Sequence, residues 1–281
     1  MTRRQVLERA RQTLTRHKIE DAALEAEVLL AHALKITRTQ LLTEPDVELK
    51  KRQEDTFKTF IKRRVKGEPN AYITGRREFY GLDFLVDNRV LIPRPETEIL
   101  VEQAILQAKN YANPVIVDVG TGSGAIAVCL AKNIPAAEIY AVDISRAALK
   151  TAARNCEKHE VTDIVKLLQG DLLEPAPAAV DIIVANLPYV ITDEVSKVTT
   201  AGFEPAGALD GGPDGTDVIK RLCVQANEKL SPKGRLLLEV GIGQSQKVSE
   251  IIRDKRSGVK IEIVTDLRGI ERVVCATLPA K

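Results

Sequence analysis

The sequence predicts an α/β protein: a doubly wound, mainly parallel seven-stranded sheet, preceded by a small N-terminal helical bundle and a β-hairpin linker. Three observations carry this. From Glu96 onward, seven candidate strands (115–119, 138–142, 164–168, 181–185, 234–240, 260–264 and 271–277) occur, the early ones separated by helical segments, as βαβ units require. Before position 76, apolar residues recur at helical spacing. Between 67 and 95, glycines and prolines punctuate strand-like stretches.

The elements follow in order. Thr2 and Gln5 have capping-box spacing, and Val6, Ala10 and Leu14 then form an apolar stripe. Asp21 is placed to cap a second helix carrying Ala26, Leu29, Leu30 and Ala33 on one face. Thr37 and Gln40 repeat the capping-box spacing. A longer helix is expected from about Val47 to Lys66, with Phe57, Phe60, Ile61 and Val65 as its stripe. Its other face is rich in Lys and Arg (Lys50, Lys51, Arg52, Lys58, Lys62, Arg63, Arg64, Lys66), which suits either a solvated surface or a dock for an acidic or RNA-associated partner. Phe79-Tyr80, Leu82, Phe84 and Val86 read as hairpin strands, and Asp87-Asn88 as a turn. Helices are expected over Glu98–Lys109, Gly124–Lys132 and Arg146–Glu157.

Composition narrows the class without naming a function. The 281 residues hold 41 Lys+Arg and 39 Asp+Glu, a net charge of +2, with 44% hydrophobic residues. These values exclude collagenous, disordered and strongly basic nucleic-acid-coating chains. No apolar run approaches the roughly 18 residues of a membrane span, and no secretory leader follows Met1. The four cysteines are scattered among apolar neighbours, as buried thiols of a reducing compartment would be, so a cytoplasmic protein is expected. The sequence gives no oligomeric signal, and a monomer is the default expectation. Residues 1–75 carry net +5 and the remainder net −3, which suggests modules with different partners. The expected division is a helical domain over 1–75, a hairpin linker over 76–95 and a sheet domain over 96–281.

Two stretches carry chemistry. The first strand runs into Gly120-Thr121-Gly122-Ser123-Gly124 and then an apolar helix. Ligands of open α/β sheets sit beyond the carboxyl ends of the strands, and glycines let the backbone approach them. A dinucleotide fingerprint would place its third glycine where Ala125 stands. Asp118 and three alternate glycines instead suit the amino-acid end of S-adenosylmethionine. Asp143, closing the second strand, is placed to accept the ribose hydroxyls of an adenosine, or else to cap the next helix. Beyond the third strand, Asp171 is positioned to accept from an adenine amino group and Leu172 to cover the ring; a plain loop aspartate is the other reading.

The fourth strand ends in Asn186-Leu187-Pro188-Tyr189. A planar NH₂ group is a poor nucleophile because its lone pair is delocalised. An enzyme that methylates one should accept hydrogen bonds from both N–H groups. The Asn186 side-chain oxygen and a backbone carbonyl next to Pro188 can do so and stabilise the charge growing on nitrogen. Tyr189 can stack on the planar group. An Asn-x-Pro turn is the structural alternative. The three histidines, His17, His32 and His159, suggest no triad or metal site.

Read together, these stretches resemble the release-factor glutamine methyltransferases, the PrmC or HemK family. The resemblance covers almost the whole chain and rests on Gly67-Glu68-Pro69, Phe79-Tyr80-Gly81-Leu82, Pro93-Arg94-Pro95-Glu96-Thr97-Glu98, the glycine loop, Asp143, the tetrapeptide, Glu204-Pro205, Leu238-Glu239-Val240-Gly241 and Asp266-Leu267-Arg268-Gly269. It implies a class I methyltransferase-like sheet domain and a helical module that helps hold the release factor. It implies N5-methylation of the glutamine in the Gly-Gly-Gln loop of bacterial class-I release factors. Gly120 to Gly124, Asp143, Leu172 and Asn186 would contact S-adenosylmethionine, and Asn186 to Tyr189 would hold the glutamine. Leu187 departs from the family pattern, which has proline there. An adenine exocyclic-amine methyltransferase acting on DNA or RNA shares the tetrapeptide chemistry, but the net −3 of the sheet half argues against it. A non-catalytic cofactor-binding scaffold is the third reading.

Overall fold

The computed structural model describes residues 1–198, 200 and 202–280. The chain forms two compact units, Met1–Arg76 and Arg77–Lys281.

The first unit is helical: α1 (Arg3–Arg16), α2 (Ala22–Leu34), α3 (Arg38–Thr43), α4 (Lys51–Val65) and α5 (Asn70–Thr74). Both capping boxes form, Thr2 with Gln5 and Thr37 with Gln40. Val6, Ala10 and Leu14 of α1 pack with Leu29 and Leu30 of α2, Leu41 of α3, and Phe57 and Ile61 of α4. Asp21 does not cap α2 with its side chain: it adopts a left-handed conformation and offers only its carbonyl, to Glu25 N–H. The long helix starts at Lys51 rather than Val47, because the backbone of Val47–Leu49 is already used. Arg3 N–H donates to Val47 and Leu49 N–H to Met1, and Thr2 bridges Glu48. On the basic side of α4, Lys51 and Lys58 pair with acidic residues of their own helix, while Arg63 and Arg64 pair with Glu68 and Glu25.

The second unit opens with a hairpin, β1 (Arg76–Phe79) and β2 (Leu82–Leu85), turned by Tyr80 and Gly81, both at positive φ. The hairpin is shorter than expected, and 86–95 is irregular apart from a turn closed by Val90 N–H onto Asp87 O. The main elements are α6 (Thr97–Ala108), β3 (Val115–Val119), α7 (Ala125–Asn133), β4 (Glu138–Asp143), α8 (Arg146–Lys158), β5 (Val165–Gln169), β6 (Val180–Ala185), α9 (Asp217–Lys229), β7 (Leu230–Glu239), α10 (Ser245–Lys255), β8 (Lys260–Thr265) and β9 (Glu271–Thr277). The seven strands run β5-β4-β3-β6-β7-β9-β8, parallel except for β9, which is antiparallel to both neighbours. Alternation along each strand splits the core. Ile116, Ile182, Val184 and Leu237 face the side covered by α6 to α8, and Val117, Ile183, Leu236 and Leu238 face α9 and α10.

Strand order reverses at β3, which lies between β4 and β6. Val119 pairs with Val142 on one side and Ala185 on the other, and Asp143 pairs with Gln169. The residues after these positions therefore emerge together at one edge: Gly120, Asp143, Gly170 and Asn186. Such a switch point is where open sheets bind ligands. All four cysteines are buried, and burial pushes the thiols up, that of Cys156 to about 11 and those of Cys223 and Cys275 to about 12.

Candidate active site

The glycine loop is held from both sides. Gly120 and Thr121 N–H both donate to Val142 O, at 2.8 and 2.9 Å, and Gly122 N–H donates to Asp143 Oδ2 at 2.8 Å. Gly120, Gly122 and Gly124 all have positive φ, which a side chain would strain. Gly120 is also close-packed: a Cβ there would lie 3.1 Å from Leu187 Cδ2. Leu187 is 5% exposed, so it serves as apolar packing between the tetrapeptide and the loop.

Asp118 is fully buried, the first such charge in the chain. Its Oδ2 accepts from Thr121 Oγ1 (2.6 Å) and from Ala127 N–H in the first turn of α7 (3.2 Å), while Oδ1 has no partner. Burial raises its pKa to about 7 against those two hydrogen bonds. Asp143 is 8% exposed, and besides Gly122 it accepts from Ser145 N–H at 2.8 Å. Burial raises its pKa, opposed by both backbone donors. The capping role belongs to Ser145, whose side chain accepts from Ala148 N–H. Each Asp143 oxygen keeps a second lone pair for a hydroxyl donor. Beyond β5, Asp171 forms an ion pair with Arg221 of α9, so one of its oxygens is already engaged. Leu172 lies at positive φ and is buried, in the same apolar cluster as Val142 and Leu187.

After β6, Asn186 Nδ2 donates to Thr97 Oγ1 at 3.0 Å. That commits the amide's donor end and leaves Oδ1 as an acceptor. Among the described residues the carbonyls of Leu187 and Pro188 accept no hydrogen bond, whereas those of Tyr189 and Val190 are taken by Gln244 Nε2 and Gly211 N–H, at 2.9 and 2.8 Å. The segment is pressed against glycines: a Cβ on Gly211 would lie 2.7 Å from Pro188 O, and one on Gly215 2.5 Å from Tyr189 O. Burial and nearby Glu239 raise the Tyr189 phenol to about 12, so it stays neutral. A cavity of about 240 Å³ opens beside Asn186, Leu187 and Tyr189, walled by Leu91, Val190 and Leu209, with Arg94 as its charged member. Arg94 pairs with buried Glu204 at 2.6 Å, and the second Glu204 oxygen accepts from Ile92 N–H at 3.0 Å.

The structure thus brings Gly120–Gly124, Asp143 and Asn186–Tyr189 to one edge and sets Asp171 into an ion pair. Thr97, Arg94, Glu204 and Glu239 stand within the motifs that carry the resemblance, with no role assigned by it. Their meaning lies in contacts across 89 residues, from Thr97 to Asn186, and 110, from Arg94 to Glu204, which no local spacing displays.

Sheet order and site together define a class I methyltransferase domain. Residues 5–75 match the family described as PrmC N-terminal domain, and residues 95–208 match the methyltransferase small domain. A release factor glutamine methyltransferase of Koribacter versatilis is 43% identical over 99% of both chains. One from Rhodopirellula baltica is 42% identical over 91% of this chain and 89% of its own. This chain belongs to the release factor glutamine methyltransferase family. A crystal structure of ribosomal protein L11 methylase from Lactobacillus delbrueckii subsp. bulgaricus shares the fold, with 20% identity, a TM-score of 0.51, and coverage of 68% of this chain and 82% of that one.

Proposed function

We propose that the protein transfers a methyl group from S-adenosylmethionine to the side-chain amide nitrogen of the glutamine in the Gly-Gly-Gln loop of bacterial class-I release factors. Family membership supports the substrate. The single structural observation behind the chemistry is the Asn186 amide, tied at its nitrogen to Thr97 with its oxygen left to accept beside the cavity.

The residues present fit this cofactor. The unpartnered, buried Asp118 Oδ1 suits a cationic group near the loop, and the Asp143 lone pairs suit ribose hydroxyls. When bound, the cofactor supplies an electrophilic methyl on sulfur. The chain's own groups do the rest. Asn186 Oδ1 and the carbonyl beside Pro188 accept the two N–H groups of the substrate amide, hold its plane, and stabilise positive charge as it develops on nitrogen. Tyr189 covers the planar group, and Leu91, Leu187, Val190 and Leu209 exclude water. Asp171 and Leu172 would border the adenine, with Asp171 shared with Arg221. The helical unit would help hold the release factor, which acts in the cytoplasm. Among the described residues no helix is long and apolar enough to cross a membrane.

The test is transfer of labelled methyl from the cofactor to a wild-type release factor and to one whose Gly-Gly-Gln glutamine is replaced by alanine. Label on the first alone is expected. Equal label on both, or label on nucleic acid alone, would overturn the reading in favour of another planar amine.

A further inference from the structure

We propose that Gln244 is a positioning residue: by closing the turn Gly241–Gln244 and gripping the backbone of Tyr189, it seats the tyrosine ring for the substrate amide. This rests on the reading of Tyr189 as the cover of that amide.

β6 and β7 are parallel neighbours, and Ala185 pairs with Leu238. The tetrapeptide after β6 and the turn after β7 therefore leave the sheet side by side. Gln244 closes that turn twice. Its backbone N–H donates to Gly241 O at 3.1 Å, and its side-chain Oε1 accepts from Gly241 N–H at 2.9 Å. Its Nε2 crosses to the tetrapeptide and donates to Tyr189 O at 2.9 Å. One amide thus meets a donor on its own turn and an acceptor on the neighbouring segment, and a single orientation satisfies both.

Glycines reserve the space. A Cβ on Gly241 would lie 2.8 Å from Gln244 Oε1, and one on Gly215 2.6 Å from Gln244 Nε2. The Cβ on Gly241 would also lie 3.1 Å from Tyr189 Cδ2, so the tyrosine ring rests on the turn that Gln244 closes. The peptide unit after Tyr189 is held at both ends. Tyr189 O is taken by Gln244, and Val190 N–H, in the same plane, donates to Leu209 O at 3.0 Å. On the other side the ring of Pro188 sets its φ. These restraints together direct the Tyr189 side chain toward the cavity it lines with Asn186 and Leu187. Gln244 is the one anchor of that peptide supplied by a side chain, so it is the one a substitution can release.

The test uses the full-length enzyme with S-adenosylmethionine and a release factor. Gln244→Glu keeps the acceptor for Gly241 N–H and replaces the donor to Tyr189 O with an oxygen. It should lower kcat about 10- to 100-fold, with KM for the release factor and Kd for S-adenosylhomocysteine within about twofold. In a Tyr189→Ala background the same change should cost under about twofold, because the ring it seats is gone; in an Asn186→Ala background its full cost should remain. A crystal structure of Gln244→Glu should show the tyrosine ring displaced from Gly241. Equal cost in both backgrounds, a loss confined to KM or cofactor affinity, or a ring still on its seat would overturn the proposal. A wild type that labels no release factor would instead overturn the function on which it rests, and the ring position in the Gln244→Glu crystal would still decide whether Gln244 seats Tyr189.

Discussion

The two units keep their polar groups in different places. In residues 1–76 no charged side chain is buried: the interior is Leu14, Leu29, Leu30, Leu41, Phe57 and their neighbours. In the sheet unit Asp118, Asp143, Glu204 and Glu239 are all buried, and two of them hold an oxygen without a partner. The first unit is what amphipathic patterning alone yields. The second accepts the desolvation of carboxylates at its strand ends, a cost that stability alone would not select. Charge placed against the fold's interest marks where chemistry is done.

The largest expected effect tests the apolar side of this contrast. Phe57→Ala should destabilise the helical unit by about 3–5 kcal/mol, since Phe57 is 2% exposed. Hydrogen exchange should then rise throughout residues 1–76 while the 115–119 strand stays protected; uniform loss of protection would mean the units unfold as one. Asn186→Ala should do the opposite, lowering kcat by about 10²-fold or more with the melting temperature and cofactor affinity nearly unchanged. Steady-state kinetics with calorimetry checks it.

Titration should separate the units by sign. Asp118 and Glu239 have pKa values raised to about 7 in the folded state. The folded sheet unit therefore holds protons that the unfolded chain releases above about pH 4. Its stability should fall as pH rises from about 5 to 7 and level off above that, by at most about 1.4 kcal/mol per pH unit and group. Asp118→Asn and Glu239→Gln should each flatten the slope. In the helical unit partial burial and Arg76 lower the pKa of His32, so its contribution grows as pH rises through the same window. Denaturant titrations at pH 5, 6 and 8, read by segment-resolved exchange, should give opposite trends; parallel trends would refute the assignment. The smallest effect is at a cap: Thr2→Ala should cost about 1 kcal/mol through α1 alone.

The same contrast explains what was legible in the sequence. The capping boxes, the stripe of α1 and the runs of β3 and β9 are local patterns, and their elements form where the spacing puts them. The structure departs from that spacing where a distant segment intervenes. The start of α4 was displaced by the pairing of Val47–Leu49 with Met1–Arg3, and β7 begins at Leu230, earlier than its apolar run, because Leu230 pairs with Val180. Asp21 has the right residue type for a cap but the wrong backbone conformation. The glycine loop and tetrapeptide were visible because each is contiguous. Thr97, Glu204 and Glu239 were visible only as letters, since their partners lie on other elements.

Asn155 of α8 has a consequence beyond its own helix. Its amide nitrogen donates to Leu85 O and Ser123 O, at 3.0 and 2.8 Å, and its oxygen accepts from Leu85 N–H at 2.8 Å. One side chain thereby staples the hairpin's last residue to the bend that would cradle the donor. A protease nick in the hairpin, far along the chain from any reacting atom, should therefore register first as weakened cofactor capture, making that ribbon a brace rather than a tether.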